Sequence, residues 1–208
     1  SLYGPSKLNF NLFDDPGAVQ SFNSLVLRAG YNYSWLKNDA GQRLRTDYIR
    51  DPFAKNTQLE MGHPSAHNKF VHLYLNGLYW GLYNLSEKIT DDFMETYMGG
   101  AEEDWDVVKD HAGLVDGSRD AWNRLVARAG EGFSSLASYM KIQGLNPDGS
   151  PNPQYENLLD VDNLIDYMIY NLYIGNNVWA GNHWIAARNP RATLQRCLLY
   201  KFDAADDG

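Results

Sequence analysis

The stretch "FVHLYLNGLYWGLYNLSEK", residues 70–88, decides how the first half of the chain is built. Two runs of alternating apolar and polar residues flank Asn76-Gly77. Both turn residues accept the positive φ of a type I′ turn, so the stretch reads as an antiparallel β-hairpin. A period of two sets Phe70, His72 and Tyr74 on one face and Val71, Leu73 and Leu75 on the other.

Upstream, "FNSLVLR" at 22–28 reads as a strand, and residues 30–35 as a loop. "DPFAKNTQLEMG" reads as a helix, with Asp51 as cap, Pro52 in the first turn and Gly62 as the stop. Downstream, "TDDFMETYMGG" reads as a short helix capped by Thr90 and stopped at Gly99. "SRDAWNRLVARAG" reads as a helix capped by Ser118, with Trp122, Leu125, Val126 and Ala129 as its buried stripe. A further helix is expected over Phe133 to Gln143, and a turn-rich loop over 146–153. "VDNLIDYMIYNLYI", 161–174, reads as a helix with Ile165, Met168, Ile169 and Leu172 inward. "WIAAR" and "QRCLLYKF" then form a second hairpin across Asn189-Pro190, ending on Asp203. This order predicts an α+β fold of two unequal lobes, about 1–100 strand-rich and about 101–208 helical. The chain opens on Ser1 and stops at Gly208 in what reads as mid-domain, so the fold is expected to be incomplete at both ends.

Composition narrows the function. Hydrophobic residues make up 44% of the 208, enough for a core and too many for disorder. A net charge of −8 argues against general nucleic-acid binding, which needs clustered Lys and Arg, and against an anionic membrane surface. No apolar run approaches the roughly 18 residues of a membrane span. Cys197 is the sole cysteine, which excludes an internal disulfide, and "RCLLY" places it in a buried strand. The 14 Tyr and 6 Trp fit either an aromatic core or a surface that handles sugars outside the cell.

Chemistry is expected in "IGNNVWAGNHWIAARN", residues 174–189, a polar loop between a helix and a strand. Its ionisable groups are His183 and Arg188; it holds no carboxylate. The order helix, polar loop, strand pair, Asp could place the groups of a protein-kinase site. There a catalytic-loop Asp orients the substrate hydroxyl, an Asn five residues later binds metal, and a later Asp binds Mg²⁺. Other patterns carry less. His63 and His67 have the four-residue spacing of helical zinc ligands, but Pro64 and the lack of a third ligand oppose it. "NYS" and "NLS" match glycosylation sequons, the second inside a strand.

"YGPSKLNFNLF", "LVLRAGYNYSW", the 70–88 hairpin and "WIAARN" resemble the spore coat protein H (CotH) kinase family, in the branch found in large bacterial surface proteins. The resemblance spans nearly the whole chain. It implies an atypical protein-kinase-like fold that uses ATP and a divalent metal, Mg or Mn, to phosphorylate protein serines. It also implies an extracellular or cell-surface bacterial setting. In relatives the loop resembles Asn-x-Asp-Trp-Pro-x-x-Asn-Trp followed by Tyr-Ala-Ala-Arg. Aligned on Trp184 and Ala186-Ala187-Arg188, Asn176 matches the Asn and Trp179 the first Trp. Val178 then falls at the catalytic Asp, and His183, beside Asn182, at the metal-binding Asn. Asp203 matches the later metal-binding Asp, with Ala205 where relatives carry Glu. The resemblance places Glu87 and Lys88 near the nucleotide cleft, Glu87 ahead of Lys88 because position 88 varies in relatives, and the alternative is an exposed pair at the strand end. It also sets the phosphate-binding lysine upstream of Ser1. Arg28 and Arg50 match family arginines, with a structural role expected for both.

Valine can neither accept a proton nor orient a hydroxyl, and losing a positioned base costs about 10²–10⁴-fold. The expected function is therefore a kinase-like domain with impaired transfer acting on a protein substrate. The alternative is a non-catalytic extracellular scaffold that recognises a surface protein or glycan. Neither binds nucleic acid or inserts directly into a membrane.

Overall fold

The computed structural model describes residues 6–31, 34–176, 179, 181–189 and 198–201. Among them it holds nine strands and six α-helices, an α+β fold. The chain divides into two compact units, with the boundary between Ile89 and Thr90.

The first unit opens on a short ribbon of β1 (Leu8–Asn9) against β2 (Ser21–Phe22). Its main sheet has the order β3 (Leu25–Arg28), β5 (Leu78–Glu87), β4 (Asn68–Leu75), all antiparallel. The β4–β5 turn is the expected one: Asn76 has φ 51° and Gly77 φ 81°. The register shifts between Leu73 and Tyr74, opposite Gly81, whose φ of 148° favours glycine at that bulge. The upstream strand is shorter than the 22–28 run, because Asn23 and Ser24 separate β2 from β3. Helices α1 (Ala40–Arg43) and α2 (Arg50–Glu60) fill the connection, and α2 lies against β4. Asp51 does not cap α2. Ile49 takes the cap position, and Asp51 is buried in the first turn beside Lys55. Phe13 meets Phe22 edge-to-face at 5.6 Å in the core of this unit.

The second unit begins with α3 (Asp91–Met98), entered at Thr90 and stopped at Gly99 with φ 79°. A four-stranded antiparallel sheet follows, in the order β7 (Gly113–Asp116), β6 (Asp106–Lys109), β8 (Trp184–Arg188), β9 (Leu198–Lys201). Strands β8 and β9 form the expected second hairpin, while β6 and β7 were not expected from the sequence. Helices α4 (Asp120–Gly130), α5 (Leu136–Lys141) and α6 (Val161–Tyr173) complete the unit. The α5 helix is shorter than the 133–143 expectation because the Ser135 capping box fixes its start. The core joins Val108, Leu125, Ile142, Leu158, Tyr167, Trp184 and Ala186.

Two helix faces differ from expectation. In α4, Ala121 and Leu125 are buried, whereas Val126 and Ala129 are exposed. In α6 the buried residues are Asn163, Tyr167, Tyr170 and Asn171. Ile165, Met168, Ile169 and Leu172, expected inward, lie on the exposed side, Leu172 at 68%. The tyrosine rings cover more apolar area than the aliphatic residues, and Asn171 satisfies its own amide inside the helix. Cys197, expected in a buried strand, lies outside the described residues.

Candidate functional site

The last turns of α6 build the entrance to the loop at 175–183. Asn171 is fully buried, and its Nδ2 donates to the Tyr167 carbonyl at 2.8 Å. Its Oδ1 accepts from Asn176 Nδ2 at 2.8 Å, and the Asn176 backbone N–H donates to the Asn171 carbonyl at 3.0 Å. A buried asparagine thus fixes the first asparagine of the loop with both side-chain groups satisfied. Trp179 packs edge-on to Tyr167 with ring centroids 6.0 Å apart. Burial, with a smaller push from the negative charge of Asp110, raises the Tyr167 phenol well above its usual range.

At the other end, Trp184 is held twice. Its ring stacks on Trp122 at 4.7 Å, and its backbone N–H donates to Asp110 Oδ1 at 2.8 Å. Asp110 comes from the β6–β7 connection, 74 residues away in sequence. His183, just before Trp184, has φ 69°, and His111, just after Asp110, has φ 53°. Two non-glycine residues in the left-handed region thus flank a single hydrogen bond. Such strain costs about 1–3 kcal/mol each and concentrates at functional sites.

Asn182 and His183 are half-buried on this loop. Asn182 Oδ1 is shielded from solvent and has no hydrogen-bond partner among the described residues. A bare amide oxygen beside an imidazole suits a divalent cation. The nitrogen donor favours Mn²⁺ over Mg²⁺, which prefers oxygen. Val178 and Asp203, the positions matched to the two family aspartates, lie outside the described residues. Beyond the loop, Arg188 is 3% exposed and donates from Nη2 to Glu156 Oε1 at 2.6 Å. Arg124 grips the same carboxylate through Nε at 2.8 Å and Nη2 at 2.9 Å. These guanidinium groups hold Glu156 below the usual carboxylate range, Arg124 most strongly.

In the first unit Glu87 is buried and Lys88 is exposed. Glu87 Oε2 accepts from the His67 backbone N–H at 2.8 Å and lies 2.8 Å from its Nδ1. His63 and His67 therefore do not share a helix, and His67 serves Glu87 instead. Nearby, buried Lys55 contacts Asp51 at 2.8 Å and donates to Ser86 Oγ at 3.0 Å. Burial lowers the Lys55 pKa, against the opposing pull of Asp51 and Glu87. Sequence reasoning missed Lys55; the Asp51–Lys55 spacing of four on one helix was the available signal. Arg28 lies 3.9 Å from Asp51, and Arg50 donates to the Arg45 carbonyl at 2.7 Å, tying a turn to the start of α2.

Two further features lie in the second unit. Asp92, Glu95 and Glu102 bring carboxylate oxygens within 4.8 Å of one another. A cavity of about 500 Å³ is lined by Arg124, Arg128, Lys141 and Tyr155 among others, and none of the expected site residues borders it. Among the described residues, no helix is long and apolar enough to cross a membrane.

Comparison with curated proteins returned no match. The family profile described as CotH kinase protein matches residues 29–205, which takes in the Glu87–His67 pair, Lys55 and the whole loop at 174–189. The chain therefore belongs to the CotH kinase family.

Proposed function

We propose that this chain is a two-lobed, protein-kinase-like domain that binds ATP with Mn²⁺ or Mg²⁺ and phosphorylates protein serines at a reduced rate. Membership of the CotH family over residues 29–205 carries the reading. The bare Asn182 oxygen at the expected metal position supports it. In this reading Asn182, His183 and Asp203 hold the metal, and Glu87 and Lys88 serve the nucleotide. Val178 removes the group that would orient the substrate hydroxyl, so positioning and charge stabilisation carry what transfer remains. The metal neutralises phosphate charge when bound. The domain works at the bacterial cell surface or outside the cell, on a protein partner.

A second reading is a scaffold that binds a surface protein or glycan without catalysis. The exposed Tyr74, Tyr79 and Trp80 of the β4–β5 hairpin favour it. Thermal unfolding with ATP and Mn²⁺ or Mg²⁺ separates the two. A ligand at a hundred times its Kd adds about 2.7 kcal/mol to stability, a shift of several degrees. Stabilisation that needs nucleotide and metal together supports the kinase-like reading. An unchanged melting temperature at millimolar ATP and metal removes it.

A further inference from the structure

The loop at 174–189 has no carboxylate of its own, yet one is delivered to it. Asp110 reaches the His183–Trp184 step from the β6–β7 connection and accepts the Trp184 N–H through Oδ1 at 2.8 Å. We propose that Asp110 supplies the carboxylate the loop lacks, and that Asp110, Asn182 and His183 together form a divalent-cation site within the second unit, selective for Mn²⁺ over Mg²⁺. The proposal rests on the kinase-like reading in taking this loop as the metal-binding loop.

First, Asn182 and His183 are both neutral donors, and a dication set among neutral groups needs negative charge nearby. Among the described residues, Asp110 is a carboxylate hydrogen-bonded to this end of the loop. Secondly, a carboxylate has two oxygens and about four acceptor sites. The Trp184 N–H occupies one site on Oδ1, which fixes the group while leaving capacity for a cation. Metal-binding carboxylates are commonly held by such a second bond. Thirdly, the turn is strained on both sides. His111 at φ 53° sets the Asp110 side, and His183 at φ 69° sets the loop side. A simple anchor could be made with relaxed backbone. Two left-handed histidines flank the Asp110–Trp184 hydrogen bond and hold the carboxylate at the residue that follows His183, as a preformed site requires.

The test uses Mn²⁺ alone, followed by its electron paramagnetic resonance signal, with the full chain and two variants. Asp110→Asn keeps an oxygen to accept the Trp184 N–H and removes only the charge. It is expected to melt within a few degrees of the unaltered chain and to bind Mn²⁺ at least about tenfold more weakly. Asp203→Asn serves as the comparison. If the unaltered chain binds Mn²⁺, Asp203→Asn loses it and folded Asp110→Asn binds as before, then Asp110 is only an anchor and this inference falls while the kinase-like reading stands. If the unaltered chain binds no Mn²⁺ up to millimolar concentrations, both fall. Should Asp110→Asn fail to fold, Fe²⁺ with ascorbate and peroxide on the unaltered chain gives the answer. Backbone cuts at both 109–111 and 181–184 support the site; cuts confined to 181–184 overturn the role of Asp110.

Discussion

Glu87 holds His67 by two routes at once: its Oε2 accepts the His67 backbone N–H at 2.8 Å and lies 2.8 Å from the ring Nδ1. Both side chains are buried. Residue 67 starts the approach to β4 and residue 87 ends β5, so this pair closes the open end of the hairpin. Glu87→Ala would strand a buried N–H and an imidazole nitrogen together. The expected loss is about 3 kcal/mol in urea unfolding. Glu87→Gln, which retains an acceptor, should cost less than half of that. Equal losses from the two variants would show that burial, not the hydrogen bonds, matters here.

Lys55 gives the fold an alkaline signature. Burial lowers its folded pKa below the ordinary lysine range, and unfolding restores it. Between those two values the unfolded chain binds more protons than the folded one, so stability rises with pH in that window. The stability of the unaltered chain minus that of Lys55→Met should therefore grow as pH rises through the folded pKa toward the unfolded value of about 10.4. Urea unfolding at several pH values measures it, and a constant difference would defeat the assignment.

Glu156 gives an acid signature of the opposite kind. Its folded pKa is lowered, first by Arg124 and also by Arg188. The stability it contributes is present above its unfolded pKa and is lost as pH falls through the folded value. Glu156→Gln should flatten the acid limb of the stability profile. Glu156→Ala should be harsher, about 3 kcal/mol, because Arg188 is 3% exposed and would lose the carboxylate it contacts at 2.6 Å. A mild effect of the alanine variant would mean that the Asn157 carbonyl and Asp106 suffice for Arg188.

The sequence made some of this visible and hid the rest, for physical reasons. The β4–β5 hairpin was legible because Asn76-Gly77 satisfies a turn with positive φ at both positions. The loop after α6 was legible because polar residues break two regular patterns. The inward face of α6 was misread because aliphatic residues were assumed to lie inside, whereas Asn163, Tyr167, Tyr170 and Asn171 do. The β6–β7 pair was missed because each strand has four residues and their register shifts at Val107. Missing that pair also hid Asp110, whose contact with Trp184 spans 74 residues and leaves no local pattern.

Gly117 tests the β6–β7 architecture directly. It has φ 71°, and a Cβ there would come within 2.6 Å of the Trp105 carbonyl oxygen. That atom is backbone and cannot swing away. Gly117→Ala combines a left-handed alanine with a steric clash and should cost about 2–4 kcal/mol. Gly62 has φ 82° with nothing near its Cβ position, so Gly62→Ala isolates the backbone term and should cost about 1 kcal/mol. Similar losses at both positions would contradict the close approach at Gly117.

The activity prediction turns on Val178 and His183. A domain with valine at the base position should transfer phosphate from ATP far more slowly than an Asp-bearing relative. Val178→Asp together with His183→Asn should raise transfer at least about tenfold, a modest share of what a positioned base supplies. The second change also suits the backbone. Residue 183 has φ 69°, a conformation that asparagine accepts more readily than most side chains. The double variant should therefore fold at least as well as the unaltered chain. The two changes touch one site, so their separate effects need not add. Radiolabel transfer to a serine-rich peptide, with Mn²⁺ and Mg²⁺ tested separately, gives the rate. His183→Asn replaces a nitrogen ligand with an amide oxygen and should shift the metal preference toward Mg²⁺. Vigorous transfer by the unaltered domain would show that another group does the work assigned to the missing Asp. A folded double variant with no gain would leave binding, not catalysis, as the use of this site.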